Sequence, residues 1–90
     1  MKSTEKELER ILKALANRRR LAIMRVLKRD REAPVGDIAA EIHLSFRSTS
    51  KHLGVLFAAD NLEKDQRSLQ IFYRLAENLP DAARRIILLL

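Results

Sequence analysis

Ser45-Phe46-Arg47-Ser48-Thr49-Ser50-Lys51-His52-Leu53 reads as a helix that opens on a capping serine and carries two unlike faces. Phe46, Thr49, Leu53, Leu56 and Phe57 recur at helical spacing and are expected to face a core. Arg47, Ser48, Lys51, His52 and Val55 fall on the other side, which therefore holds two cations, a hydroxyl, an imidazole and one small apolar group. No acid occurs from Ile42 to Ala59, in a chain with twelve Asp and Glu. A basic, short-armed face without carboxylates suits a negatively charged polymer. As the second helix of a helix-turn-helix, it would make the chain a DNA-binding regulator.

The flanking sequence supplies that context. Val35, Ile38, Ala39 and Ile42 form a short apolar stripe, with Pro34 at its start and Asp37 in its first turn, both suited to a helix N-terminus. Residues His43 to Ser45 then separate two short helices, the spacing of a helix-turn-helix, although its turn often contains Gly and this one does not. Upstream, Thr4 and Glu7 have capping-box spacing, and Leu8, Ile11, Leu12 and Leu15 follow as one stripe. Asn17 is expected to cap a second helix bearing Leu21, Ile23, Met24, Val26 and Leu27 and ending in the charged stretch Lys28 to Glu32. Downstream the period changes. Leu62 to Asp65 and Leu69 to Leu75 read as strands, with Leu69, Ile71, Tyr73 and Leu75 alternating against Gln70, Phe72 and Arg74, and the turn is placed at Gln66-Arg67-Ser68. A last helix is expected from Asn78–Pro80 to Leu90. The order α-α-α-α-β-β-α describes a mainly α fold with a two-stranded β wing: a single winged helix-turn-helix domain over residues 1–90, whose first and last helices serve dimerisation.

Composition sets the outer limits. Ninety residues support one core, and a hydrophobic content of 47% argues against disorder. The formal charge of +6 favours an anionic partner. Without cysteine there is no disulfide, thiolate metal site or cysteine nucleophile. Met1 to Lys6 lacks the apolar stretch of a signal peptide behind it, and the longest apolar run, Ile86 to Leu90, falls far short of the roughly 20 residues that span a bilayer. The expectation is a cytoplasmic protein without membrane contact. Two glycines do not make a phosphate loop, and two histidines with scattered carboxylates do not make a zinc site. With no nucleophile–base pair either, no enzyme, metal or cofactor is expected.

Three segments resemble the ArsR-type winged-helix repressors. Leu12 to Leu21 is similar to the family's A-L-A-[DN]-x-x-R-L opening, Ser45 to Leu56 to its S-x-x-x-x-S-x-H-L-x-x-L recognition helix, and Phe72-Tyr73-Arg74-Leu75 to its wing exit. The match runs from about Leu12 to Leu75, most of the chain. The resemblance implies a homodimer that binds an operator palindrome and represses transcription until an inducer, often a metal or metalloid, releases it. The metal-sensing motifs are missing. Pro34 to Ala39 contains no sulfur where soft-metal sensors carry Cys-x-Cys, and no histidine follows His52 to pair with Glu77 or Asp81. The wing also lacks the Gly usually found beside its Arg. The fold and DNA-binding role carry over, and the inducer stays unknown.

Candidate contacts follow from position. Arg47 can pair bidentately with guanine and Ser48 can reach most base edges, whereas Ser50 and Lys51 suit phosphates. His52 either bonds a phosphate or packs at the helix edge. Phe46 is read as packing on the preceding helix, with a thymine methyl as the alternative partner. Arg18 and Arg19 crowd a helix N-terminus that disfavours cations, which invites phosphate unless Glu5, Glu7 or Glu9 answers them; Arg20 is read as structural. Lys64 and Arg67, with Gln66, are placed at the wing tip, where Arg suits a narrow minor groove. His43 is read as a core or cap residue. Leu8, Ile11 and Leu12, with Ile86, Ile87, Leu89 and Leu90, are expected to form the dimer interface. The competing function is a winged-helix module that docks an acidic protein.

Overall fold

The computed structural model describes residues 4–90; the signal-peptide reading at Met1 to Ser3 and the first three residues of the single-domain span lie outside them. Helix α1 (Glu5–Leu15) starts where Thr4 Oγ1 accepts the Glu7 N–H at 3.2 Å. Helix α2 (Arg18–Asp30) starts at Asn17, whose Oδ1 accepts the N–H groups of Arg19 and Arg20 at 2.9 and 3.1 Å. Helix α3 (Val35–Glu41) follows Pro34, and α4 (Phe46–Ala58) follows Ser45, whose Oγ accepts the Ser48 N–H at 3.1 Å. All four starts fall where the sequence places them. Each cap satisfies an orphan helix donor or, at Pro34, uses a residue that has none to satisfy.

The α3–α4 turn substitutes for its missing glycine. His43 adopts φ 56°, its N–H bonds Ala40 O at 3.3 Å, and the Leu44 N–H bonds Ala39 O at 3.0 Å. This pair of bonds is a Schellman motif, which needs a left-handed residue where Gly is the usual choice. His43 is thus an exposed cap and not a core residue. The end of α4 repeats the motif with Asp60 at φ 65° and Asn61 N–H bonded to Leu56 O at 3.0 Å.

The sheet has three strands where two were expected. β1 (Glu32–Pro34), β2 (Leu62–Arg67) and β3 (Gln70–Leu75) pair antiparallel in the order β1-β3-β2. β1 pairs Ala33 with Tyr73. It is illegible in sequence because three residues show no alternation, and Pro34 is tolerated only because the strand lies on an edge. The hairpin turn is Ser68-Leu69 and not Gln66 to Ser68. Arg67 pairs with Gln70, and Ser68 takes φ 58°, the positive φ that tight hairpin turns require. Helix α5 (Asp81–Ile87) is shorter than expected at both ends. Pro80 excludes helical backbone from the residue before it, so the helix begins at Asp81.

Ile11, Ala14 and Leu15 of α1 pack with Ile23, Met24, Val26 and Leu27 of α2, Val35, Ile38 and Ala39 of α3, and Leu62 and Tyr73 of the sheet. From α4 the core receives Thr49, Leu53 and Leu56, all fully buried. Phe46 and Phe57, expected beside them, are 62% and 38% exposed. Phe57 stands about 100° round the helix from Leu56, and Phe46 lies a turn before Thr49, the first residue of the packed stripe.

The left-handed strain at His43 is a removable cost. His43→Gly is expected to stabilise the chain by about 0.5–1 kcal/mol, relief of the side-chain clash less the entropy of a freer unfolded chain. Urea unfolding at neutral pH measures it, and an unchanged or lower midpoint counts against strain at this turn.

Candidate nucleic-acid interface

The helix-turn-helix carries its bare side on α4. Arg47 and Lys51 are exposed, and among the described residues neither has a carboxylate within ion-pair reach. Ser48, Ser50 and His52 are half-buried beside them, and Val55 is 43% exposed. Several cations elsewhere are answered by acids. Arg10 meets Asp60 at 3.3 Å, Arg29 meets Asp30 and Glu41 at 2.7 and 2.6 Å, and Arg74 meets Glu63 at 3.1 Å. Arg47 and Lys51 thus stand on an acid-free helix face, while Arg18 and Arg25 of α2 and Arg31 at its C-cap are likewise exposed with no carboxylate partner among the described residues.

Arg20 organises the approach to that face. Its Nε donates to Ala14 O and its Nη2 to Lys13 O at 3.1 Å, so it satisfies carbonyls left open where α1 ends. Its Nη1 lies 3.2 Å from His52 Nδ1. A guanidinium only donates, so Nδ1 must accept and the ring proton sits on Nε2. Burial pushes the His52 imidazole below its ordinary range, and the charges of Arg20 and Arg19 push the same way. The histidine thus packs at the helix edge through one nitrogen, and its other nitrogen carries the proton. Arg19 is also tied down, Nη1 to Ile42 O at 3.2 Å, where it holds the end of α3. Arg18 is exposed, and Glu5, Glu7 and Glu9 do not answer it; Glu9 pairs with Lys13 at 3.8 Å.

The wing differs from expectation. Arg67 is the last residue of β2 and its guanidinium is engaged on every side. Nη1 and Nη2 grip Glu32 at 2.7 and 3.0 Å, Nε meets Asp65 at 3.0 Å, and the group stacks 4.5 Å above the Phe72 ring. The Arg67 hydrogen bonds hold the Glu32 carboxyl below the usual carboxylate range. Glu32 sits on the unforeseen strand β1, so the sequence offered no sign of this clamp. Lys64 is not at the tip either: it pairs with Tyr73 in mid-strand, and its Nζ lies 4.4 Å above the Phe57 ring of α4. What the tip exposes is Leu69, 96% accessible.

The interface residues also divide. Ile11 and Ile87 are core residues at 4% and 7% exposure, because α1 and α5 pack on each other within the chain. Leu8, Ile86 and Leu90 are half-buried, and the last two pack against that core. The groups left in water are Leu12 at 47% and Leu89 at 81%, with Leu88 at 75%, which sequence reasoning passed over. Among the described residues no group of three or more His, Cys, Asp or Glu gathers as a metal site, and no helix is long and apolar enough to cross a membrane.

The depressed His52 makes stability depend on pH. The unfolded histidine takes up its proton near 6.5, before the folded one does, so stability is intact above that value and declines as pH falls through it. His52→Gln is expected to flatten the decline between about pH 7 and 5, a window above the lowered carboxyls. Urea midpoints measured across that range check it, and parallel curves for the two proteins would exclude an imidazole held neutral by its half-buried site.

No protein-family model matches the chain. The "biofilm growth-associated repressor" of Agrobacterium fabrum (strain C58) is 36% identical over 87 residues, which cover 97% of this chain and 71% of that protein. HlyU from Vibrio cholerae N16961 superposes with a TM-score of 0.83 at 29% identity, covering 99% of this chain and 92% of that one. The homodimeric winged helix-turn-helix domain of Mb0332 from Mycobacterium bovis, described as a possible ArsR-family transcriptional regulator, superposes with a TM-score of 0.79 at 28% identity, covering 93% and 74%. Identity sustained over nearly the whole chain, on a fold whose helix-turn-helix presents an acid-free basic face on its second helix, means that the chain belongs to the ArsR family of winged-helix, DNA-binding transcriptional regulators.

Proposed function

We propose that two copies of this chain bind a pseudo-palindromic operator in double-stranded DNA and repress transcription from it. The observation that carries the reading is the pair Arg47 and Lys51, exposed, free of carboxylate partners, and placed in the first half of α4, the part of a recognition helix that reaches base edges. In this reading Arg47 pairs with guanine and Ser48 with a neighbouring base edge. Ser50, Lys51 and the Nε2–H of His52 hold phosphates. Arg18 grips the backbone alongside, and Arg19 does so through whatever capacity its bond to Ile42 leaves. Lys64 and Arg67 flank the site, but Arg67 reaches a groove only by exchanging Glu32 and Asp65 for phosphate.

The dimer forms across Leu12, Leu88 and Leu89, with Leu8 beside them, because these large apolar groups of α1 and the α5 end stand in water on the single chain. The homodimeric state described for the Mycobacterium bovis relative supports this, as the repressor role of the Agrobacterium protein supports repression. A two-fold pair would set its recognition helices in major grooves about 34 Å apart. A DNA target puts the protein in the cytoplasm.

Selection of bound DNA from a random pool is expected to return a two-fold symmetric consensus, with affinity falling steeply as salt rises. Arg47→Ala should cost about 10- to 100-fold and relax one base position, whereas Lys51→Ala should weaken all sequences alike and lower the salt slope by about one. Variants that retain DNA as the parent does would point instead to a module docking an acidic protein.

A further inference from the structure

Three phenylalanines occur in the chain, and two of them are covered by a cation: Lys64 over Phe57 and Arg67 over Phe72. Among the described residues no such cover exists for Phe46, which is 62% exposed. A lone exposed apolar side chain is ordinary on a protein surface. The position of this one is not. It is the first residue of α4, immediately after the Ser45 cap and before Arg47 and Ser48, within the stretch that contains no acid. It lines a cleft with Leu69 and Ile71 of the wing, Pro34 of β1 and Val35 and Gly36 at the start of α3, so it borders the preceding helix while staying on the side where the start of α4 and the hairpin converge.

A benzyl group neither donates nor accepts a hydrogen bond, so phosphates and most base edges give it nothing. The major groove offers one apolar group, the C5-methyl of thymine. Resting on the DNA-binding reading above, we propose that Phe46 is a specificity-determining residue that packs on a thymine methyl next to the base read by Arg47. The ring and the guanidinium would together select a half-site in which T and G are neighbours.

Uracil differs from thymine only by that methyl, so it isolates the contact. The full chain would be titrated with its selected operator while each thymine is replaced by uracil in turn, at constant salt. One position in each half-site is expected to weaken binding about fourfold, what burial of a single methyl group is worth. Phe46→Ala should bind the thymine operator about as weakly as the parent binds the uracil one and should not distinguish them, while Phe46→Leu keeps part of the preference. Both variants change a surface residue, and unchanged melting would show that the fold is intact. An operator with no methyl-sensitive position overturns the proposal, as does Phe46→Ala that still senses the methyl; the ring would then serve the wing cleft alone. A random pool that yields no consensus removes the DNA-binding reading as well, so the two failures are separable.

Discussion

The recognition helix has to be buried along one stripe and bare along the opposite one, and the rest of the fold is arranged around that demand. Thr49, Leu53 and Leu56 are fully buried against α2, α3 and the sheet. Losing one of them, as in Leu53→Ala, removes packing that in cores of this kind is worth about 2–5 kcal/mol. The same three contacts leave Arg47, Lys51 and Val55 in solvent, because residues about half a helical turn away from a buried stripe cannot also be buried in a chain with a single core. Packing and exposure here are one constraint seen from two sides.

Holding the helix at a definite angle falls to polar groups at its ends. Arg20 spans the last carbonyls of α1 and the imidazole of α4, so one side chain joins three helices. Schellman turns at His43 and Asp60 close α3 and α4 through backbone bonds, with non-glycine residues in left-handed conformations. These contacts add little to stability singly. Their value is geometric, since a base-reading side chain misplaced by an ångström loses its hydrogen bonds.

Charge is sorted with equal economy. Every acid on the wing and at the ends of α2 and α3 that meets an arginine removes that arginine from competition for phosphate. Exposed pairs of this kind contribute little to folding. They matter for the charge pattern: the acid-free face of α4 keeps Arg47 and Lys51 unpaired, whereas the wing's Arg67 and Arg74 are each held by a carboxylate.

The sequence by itself determined the starts of the first four helices, Thr49, Leu53 and Leu56 of the buried stripe of α4, and the family, because these depend on short-range periodicity and on motifs contained within a dozen residues. Thr4, Asn17 and Ser45 announce helix starts since a cap bonds an N–H two or three residues away. The tertiary structure alone decided what depends on distant partners. β1 exists only because β3 offers it an edge; Arg67 is clamped only because β1 brings Glu32 to it; His52 is held neutral because the packing buries it and α2 brings Arg20 against it. Ile11 and Ile87 left the proposed interface for the core because α1 and α5 meet within one chain, and Phe46 left the core for the surface because the packed stripe begins a turn after it. Periodicity states which side of a helix is apolar. How far along that side a neighbour reaches is settled by the fold.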